Sequence, residues 1–393
     1  MPMSKFFNTL MLFLATLHLS ALAATPLRPQ SDGEVIDVLP VVTRSRPQAG
    51  AFVGKPADSR DAISASRQAI SVARQTGDNR YWGRAQAALA PWWDRADAPV
   101  ELAVLQATVQ QGRHEFEASR KVLVAALSRQ PGHAQGWLNL AALERLSARY
   151  NESLAACREV ARTGQGLYAQ ACELETRSMQ GQHELAIRGF AQLLTQVSDA
   201  DQQSWLLSLQ AEARERAGQD AAAQAAYEKS LARQPDLYTS IALSDLLLRT
   251  GNNTKALAVL APLPQTDAVV LRRGVAWRRL GDTRWQQALA TFKERVADLK
   301  RRGDDPGLHG RELAMSALWL EGDAAGALAL ARKNLVLQRE PVDWWLALQS
   351  AQAAANSSAV IELSNEWTKA GLKDARLEPA RPGGARLAGK VAP

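Results

Sequence analysis

Residues 137–160 read WLNLAALERLSARYNESLAACREV. Trp137, Leu140 and Ala141 recur on one face at helical spacing, and Ser153, Cys157 and Val160 do the same after Tyr150. The apolar period is that of a helix rather than a strand in both halves. The break between them falls at Ala148 and is only a few residues long. So short a connection between two amphipathic helices makes them an antiparallel hairpin.

The same punctuation recurs outward from this hairpin. Gly77, Gly112, Gly181, Gly218, Gly251, Gly281 and Gly322 each follow an apolar helical stretch, and Ala148 and Asn356 fill the two remaining places. The eight intervals between 77 and 356 average about 35 residues. Glycine suits such places because the residue after a helix commonly takes positive φ. Asp78, Asp282 and Asp323 follow three of these glycines and offer caps to the next helix. On the second helix of successive units a small residue is followed four later by a large one, as in Ala186/Phe190, Ala223/Tyr227 and Ala256/Leu260. Pro131 and Pro235 stand where a helix must stop.

This pattern resembles the tetratricopeptide repeat, a 34-residue hairpin with small and aromatic residues at fixed places. The resemblance implies an all-α fold, a right-handed α-α superhelix of about nine helical hairpins spanning 57–376. The first, seventh and ninth units are degenerate. The seventh carries an insertion, since Gly281 to Gly322 spans 41 residues, and its second helix is expected from Trp285 to Arg302. Residues 80–93, RYWGRAQAALAPWW, and 338–341, QREP, also resemble an uncharacterised family of exported bacterial tetratricopeptide proteins. That likeness implies an address and a fold, and no activity.

The flanks differ in composition. Lys5 precedes a short, diluted apolar stretch from Phe6 to Leu19, and Ala21-Leu22-Ala23 is a small-x-small site. Residues 1–23 therefore read as a secretion signal cleaved after Ala23. The expected location is the periplasm, with an uncleaved signal tethering the chain to the inner membrane as the alternative. Residues 24–56 read as a flexible Pro/Ser/Arg/Gly-rich arm whose one apolar patch, Val35–Pro40, either tucks against the first hairpin or serves as a docking peptide, and 377–393 as a disordered basic tail. The formal charge is +7, and +6 without Lys5, with Arg376, Arg381, Arg386 and Lys390 contributing at the C-terminal end. A 46% hydrophobic content supports a large core.

The chain has two cysteines, Cys157 and Cys172. They lie nearly equidistant from residues 164–165, at matching height on consecutive antiparallel helices. In an oxidising compartment this predicts a structural disulfide. The alternative is a pair of buried thiols. No Cys-x-x-Cys spacing supports a redox role.

Catalytic and cofactor motifs are sparse. His114 with Glu117 and His309 with Glu312 have helical i, i+3 spacing, but a metal site needs three or four convergent ligands. Gly164-Gln165-Gly166 lacks the rest of a dinucleotide fingerprint, and no phosphate loop or nucleophile elbow occurs. No enzyme activity, cofactor or metal is expected. Export and scattered basic residues speak against nucleic acid. Membrane contact is expected to be peripheral at most.

In tetratricopeptide proteins the first helix of each unit lines a concave groove. Carried onto this sequence, the groove-lining residues are Arg145, Tyr168, Trp205, Tyr238, Arg249, Arg278, Arg279 and Trp319. Arginine and aromatic side chains are common interface anchors. The clamp that grips peptide carboxylates in some members has no counterpart, because its places carry Leu138, Ala142, Ala171, Glu175, Ser208, Glu212, Ile241 and Asp245. Most of the eleven tryptophans read as core. In the pairs Trp92-Trp93 and Trp344-Trp345 one member is expected to face away from it. The resulting expectation is a scaffold for protein partners of the cell envelope. The alternative is a polysaccharide-binding or export-associated component.

Overall fold

The computed structural model describes residues 58–378, apart from 302 and 304. The expected signal 1–23, the arm 24–56 with its patch Val35–Pro40, and residues 379–393 of the expected tail lie outside the described residues. The described residues form eighteen α-helices and no strand.

These pair into nine antiparallel hairpins. The first five are α1 (Ser59–Thr76) with α2 (Arg80–Leu89), α3 (Val100–Gly112) with α4 (Phe116–Arg129), α5 (Ala134–Leu146) with α6 (Tyr150–Arg162), α7 (Gly166–Met179) with α8 (His183–Leu194), and α9 (Ala200–Arg216) with α10 (Asp220–Arg233). The next two are α11 (Leu237–Arg249) with α12 (Asn253–Leu260) and α13 (Asp267–Arg279) with α14 (Arg284–Arg301). In the eighth, α15 (Gly310–Ser316) continues through a π-helical turn, Ala317–Glu321, before α16 (Ala324–Leu337). The ninth is α17 (Pro341–Ala353) with α18 (Ser357–Ala370).

Local chemistry fixes the hairpin turns. In the second to seventh hairpins and the ninth, the residue after the positive-φ position donates its N–H to the carbonyl five residues back, as Arg149 to Glu144 and Gln219 to Arg214, at 2.8 and 2.9 Å. This six-to-one bond satisfies a carbonyl that the helix end leaves unpaired. Two turns differ from the sequence expectation. In the second hairpin the left-handed residue is His114, φ 61°, whereas Gly112 is the last residue of α3. A Cβ at Gly112 would sit 2.4 Å from ring atoms of Trp82, so this glycine serves close packing instead. In the ninth hairpin Ala355 takes φ 51°, and Asn356 caps α18 by accepting from Ala359 N at 3.0 Å.

The small-then-large pairs fill the space between hairpins. Ala186 with Phe190, Ala223 with Tyr227 and Ala256 with Leu260 are all at most 1% exposed. The small member lets helices approach, and the large one occupies the gap. Helix α14 matches the expected long second helix of the seventh unit, ending at Arg301. Cys157 and Cys172 are disulfide-bonded, with Cα atoms 5.7 Å apart, and join the third hairpin to the fourth.

The superhelix closes on itself along one edge. The turns of hairpins one to five run against hairpins six to nine. A Cβ on Gly77 would meet Thr266 Cγ2 at 2.4 Å. The His114 ring lies 5.5 Å from that of His309. Arg339 N donates to Leu146 O at 2.7 Å, Lys373 N to Met179 O at 2.8 Å, and Ala375 N to Arg216 O at 2.9 Å. One apolar cluster spans the seam, uniting Tyr150 and Met179 with Trp344, Leu363, Trp367, Leu372 and Leu377. Leu377 is therefore packed core, although the sequence places the basic tail from this residue on.

Candidate interaction surface

The sequence-derived groove residues divide into three groups. The first is aromatic. Tyr168 on α7 and Trp205 on α9 meet in a tilted arrangement, with ring centroids 5.5 Å apart and planes at 37°, and Gln202 Nε2 donates to the Tyr168 hydroxyl at 3.1 Å. Trp319 lies 5.5 Å from Trp345, so a second aromatic pair links the eighth hairpin to the ninth. Tyr238 stands by itself at 64% exposure, with its hydroxyl donating to Glu212 Oε1 at 2.7 Å. The negative charge of Glu212 pushes the Tyr238 hydroxyl well above its usual range, so it remains a donor.

The second group is arginines held by acids. Arg145 pairs with Glu175 at 2.7 Å. Arg249 donates to both oxygens of Asp220, at 2.8 and 2.6 Å, and to Glu215 at 3.2 Å. The third group caps backbone. Arg279 Nη1 donates to Leu248 O at 2.6 Å, and Arg278 Nη1 to Trp319 O at 2.7 Å. These carbonyls belong to the C-terminal turns of first helices in neighbouring units, where the helix dipole favours a cation. The guanidinium of Arg278 also lies 5.3 Å from the Trp285 centroid, and that of Arg284 4.9 Å from the Trp277 centroid. Of the eight residues, then, the structure brings together Tyr168 with Trp205 and Arg278 with Trp319, and it leaves Tyr238 and Arg279 exposed.

The tryptophan pairs behave differently from one another. Trp344 is 2% exposed, and its neighbour Trp345 is half-buried against Trp319. Trp92 and Trp93 are both half-buried against the cluster of the first two hairpins, so neither turns fully outward.

Sequence reading missed a set of acids around these side chains. Glu212 accepts from Arg216 at 3.3 Å as well as from Tyr238, and burial pushes its carboxyl up. Glu340 and Asp343 hold Arg311, Asp343 on both oxygens at 2.7 and 2.9 Å and Glu340 at 2.5 Å. Asp343 accepts further from Asn334 Nδ2 at 2.8 Å and from Glu340 N at 2.9 Å, and it caps the start of α17. The available signal was the proline-led start Glu340-Pro341, which marks a helix N-terminus. Among the described residues no group of three or more His, Cys, Asp or Glu side chains is placed to hold a metal ion. The two i, i+3 histidines do meet, as His114 and His309, across the seam. Beside them a cleft of about 370 Å³ opens between Phe116, Leu143, Arg149, Val336 and Arg339.

No family model matches the chain. No curated protein sequence matches it either. Among solved structures it is similar to a chain of the APC/C hetero-tetramer Cut9–Hcn1, at 15% identity and a TM-score of 0.48 over 81% of this chain. The chain spans 62% of the length of that relative. It is similar as well to a tetratricopeptide repeat protein from Parabacteroides merdae, at 13% identity and a TM-score of 0.37, covering 74% of this chain and 99% of that one. A third likeness is to the P58(IPK) tetratricopeptide domain, at 12% identity and a TM-score of 0.25, covering 82% and 95%. The nine hairpins, the six-to-one bonds at seven of their turns and their buried small-and-large pairs make the described residues a helical array built in the manner of tetratricopeptide repeats.

Proposed function

We propose that this chain is an exported, non-catalytic scaffold that binds protein partners of the cell envelope through the first-helix face around Tyr238. The observation that carries the reading is the state of the aromatic residues there. Tyr238 is 64% exposed but held by Glu212, and the two preceding first helices present the paired rings of Tyr168 and Trp205. Rigid aromatic side chains with a polar tip lose little conformational freedom on binding and are common interface anchors. The signal-like residues 1–23 support a periplasmic address. No helix among the described residues is long and apolar enough to cross a membrane.

In-cell crosslinking and affinity capture of the tagged full-length protein test this reading, comparing wild type with Tyr238→Ala/Trp205→Ala. An envelope protein enriched with wild type and lost with the variant is the expected result. Equal recovery with both removes this face from the reading. A second reading, an anionic polysaccharide ligand, is favoured by the Arg–Trp pairs of the seventh hairpin, Arg278 with Trp285 and Arg284 with Trp277. Binding of an acidic glycan by wild type that is lost in Trp277→Ala/Trp285→Ala would move the assignment to that class.

A further inference from the structure

The segment that follows α18 is bound to the rest of the chain as a ligand is bound. Gly371, φ 78°, ends the helix. Leu372 and Leu377 are fully buried beside Met179 and Tyr150. Between them Lys373 N and Ala375 N donate to Met179 O and Arg216 O, the last carbonyls of α7 and α9. The segment crosses the two turn glycines of those hairpins. A Cβ at Gly181 would sit 2.9 Å from Lys373 Cγ, and one at Gly218 would sit 3.1 Å from Ala375 Cβ. Arg376 reaches Glu215 Oε1 at 2.9 Å, at the C-terminal end of α9, where the helix dipole adds to the attraction for a cation.

The segment also shapes itself. Arg376 N donates to Asp374 Oδ1 at 2.9 Å, Arg376 Nε to the same oxygen at 2.8 Å, and Nη2 to Oδ2 at 2.6 Å. The same Asp-x-Arg staple forms at Asp78–Arg80 and Asp282–Arg284, where its hydrogen bonds are exposed. The turn is therefore a property of the three residues and not of the surface beneath them. It is joined to α18 through a single glycine, Gly371.

We infer that the strip formed by the C-terminal ends of α7 and α9 is a peptide-binding site, occupied here in cis by Leu372–Leu377. The partner segment it fits has the same chemistry, an Asp-x-Arg turn between two leucines, and binds by displacing the resident one. This deepens the scaffold reading and rests on it, because it names a contact chemistry for a protein partner. The tether gives the resident segment a high effective concentration, so a competing peptide binds the wild-type chain weakly.

The test uses the full-length protein and a fluorescein-labelled peptide of residues 370–379. The Arg376→Glu chain sets a carboxylate against Glu215 and frees the strip without altering it. It is expected to bind the peptide at least about tenfold more tightly than the wild-type chain does. A peptide carrying Arg376→Glu, or a scrambled one, is expected to bind neither chain. If the variant is folded by circular dichroism and does not bind, or binds the scrambled peptide equally, the proposal is overturned. If Arg376→Glu fails to fold, Asp374→Ala replaces it. Loss of folding in both overturns the proposal too, because the segment is then core. A negative result here leaves a partner captured through Tyr238 standing, and loss of that partner leaves peptide binding standing.

Discussion

The imidazoles of His114 and His309 lie 5.5 Å apart, one on the turn of the second hairpin and the other at the entry to the eighth. His114 Nδ1 is buried without a hydrogen-bond partner. Burial lowers the pKa of His114; His309 and Arg311 act in the same direction, and Glu312 and Glu340 oppose them. A folded-state value below the unfolded value of about 6.5 sets the sign. The stabilisation from a neutral His114 is complete above that pH and is lost as pH falls beneath it. The urea midpoint of the wild type should therefore drop between pH 7.5 and 5.5. It should drop less in His114→Asn, since asparagine tolerates positive φ. Equal drops in the two proteins would show that this ring does not sense the seam.

Gly112 should be intolerant of a methyl group for a reason that lies in another helix. Its added Cβ meets the Trp82 ring at 2.4 Å. Overpacking of this kind costs about 1–3 kcal/mol. Gly112→Ala is expected to lose that much in chemical denaturation, and most of the loss should vanish in a Trp82→Leu background. A loss that persists in that background would trace to the backbone of α3 instead.

Ala355 offers the opposite case. It is exposed and holds φ 51°, a conformation that costs a non-glycine residue roughly 1–2 kcal/mol. Ala355→Gly relieves this but frees the unfolded chain, so a net gain of about 0.5–1 kcal/mol is expected. A thermal melt that shows no increase would contradict the left-handed assignment.

The hairpins were legible in the sequence because their determinants are local. The Ala186/Phe190, Ala223/Tyr227 and Ala256/Leu260 pairs predict buried seams, and all six residues are buried. Cys157 and Cys172, placed at matching heights from one turn, are bonded. The turn of the second hairpin was misread because glycine at 112 is the commoner signal, whereas the left-handed residue is His114. Closure of the superhelix was not legible at all. It depends on small rotations accumulated over several units, which no single repeat encodes. The roles of Arg278 and Arg279 were hidden for a related reason. Whether an arginine faces a groove or the carbonyls of a neighbouring helix turns on a rotation smaller than the helical period can resolve.

The disulfide should contribute through the unfolded chain. Cys157 and Cys172 close a loop with a sequence separation of 15. The chain-entropy model assigns such a loop about 3 kcal/mol. Cys157→Ala/Cys172→Ala is expected to lower stability by that order, and a reductant should lower the wild type equally while leaving the variant unchanged. A reductant effect on the variant would place the sensitivity elsewhere.

Glu215 ties three parts of the chain through one carboxylate. It accepts from Tyr227 Oη at 3.2 Å in its own hairpin, from Arg249 Nη2 at 3.2 Å in the sixth, and from Arg376 Nη1 at 2.9 Å in the segment after α18. Its side chain is 7% exposed, so removing it leaves donors that water reaches poorly. Breaking a buried pair from one side costs about 3–5 kcal/mol, and the partial exposure of Arg249 and Arg376 brings the expectation for Glu215→Ala to about 2–3 kcal/mol. Arg249→Ala should cost less, because Asp220 remains solvated at 35% exposure. If the seam is carried by the Glu215–Arg376 pair, the double-mutant cycle of Glu215→Ala with Arg376→Ala should give a coupling above about 1 kcal/mol. Additivity within about 0.5 kcal/mol would mean that the C-terminal segment is held by Leu372 and Leu377 alone, with the carboxylate a bystander.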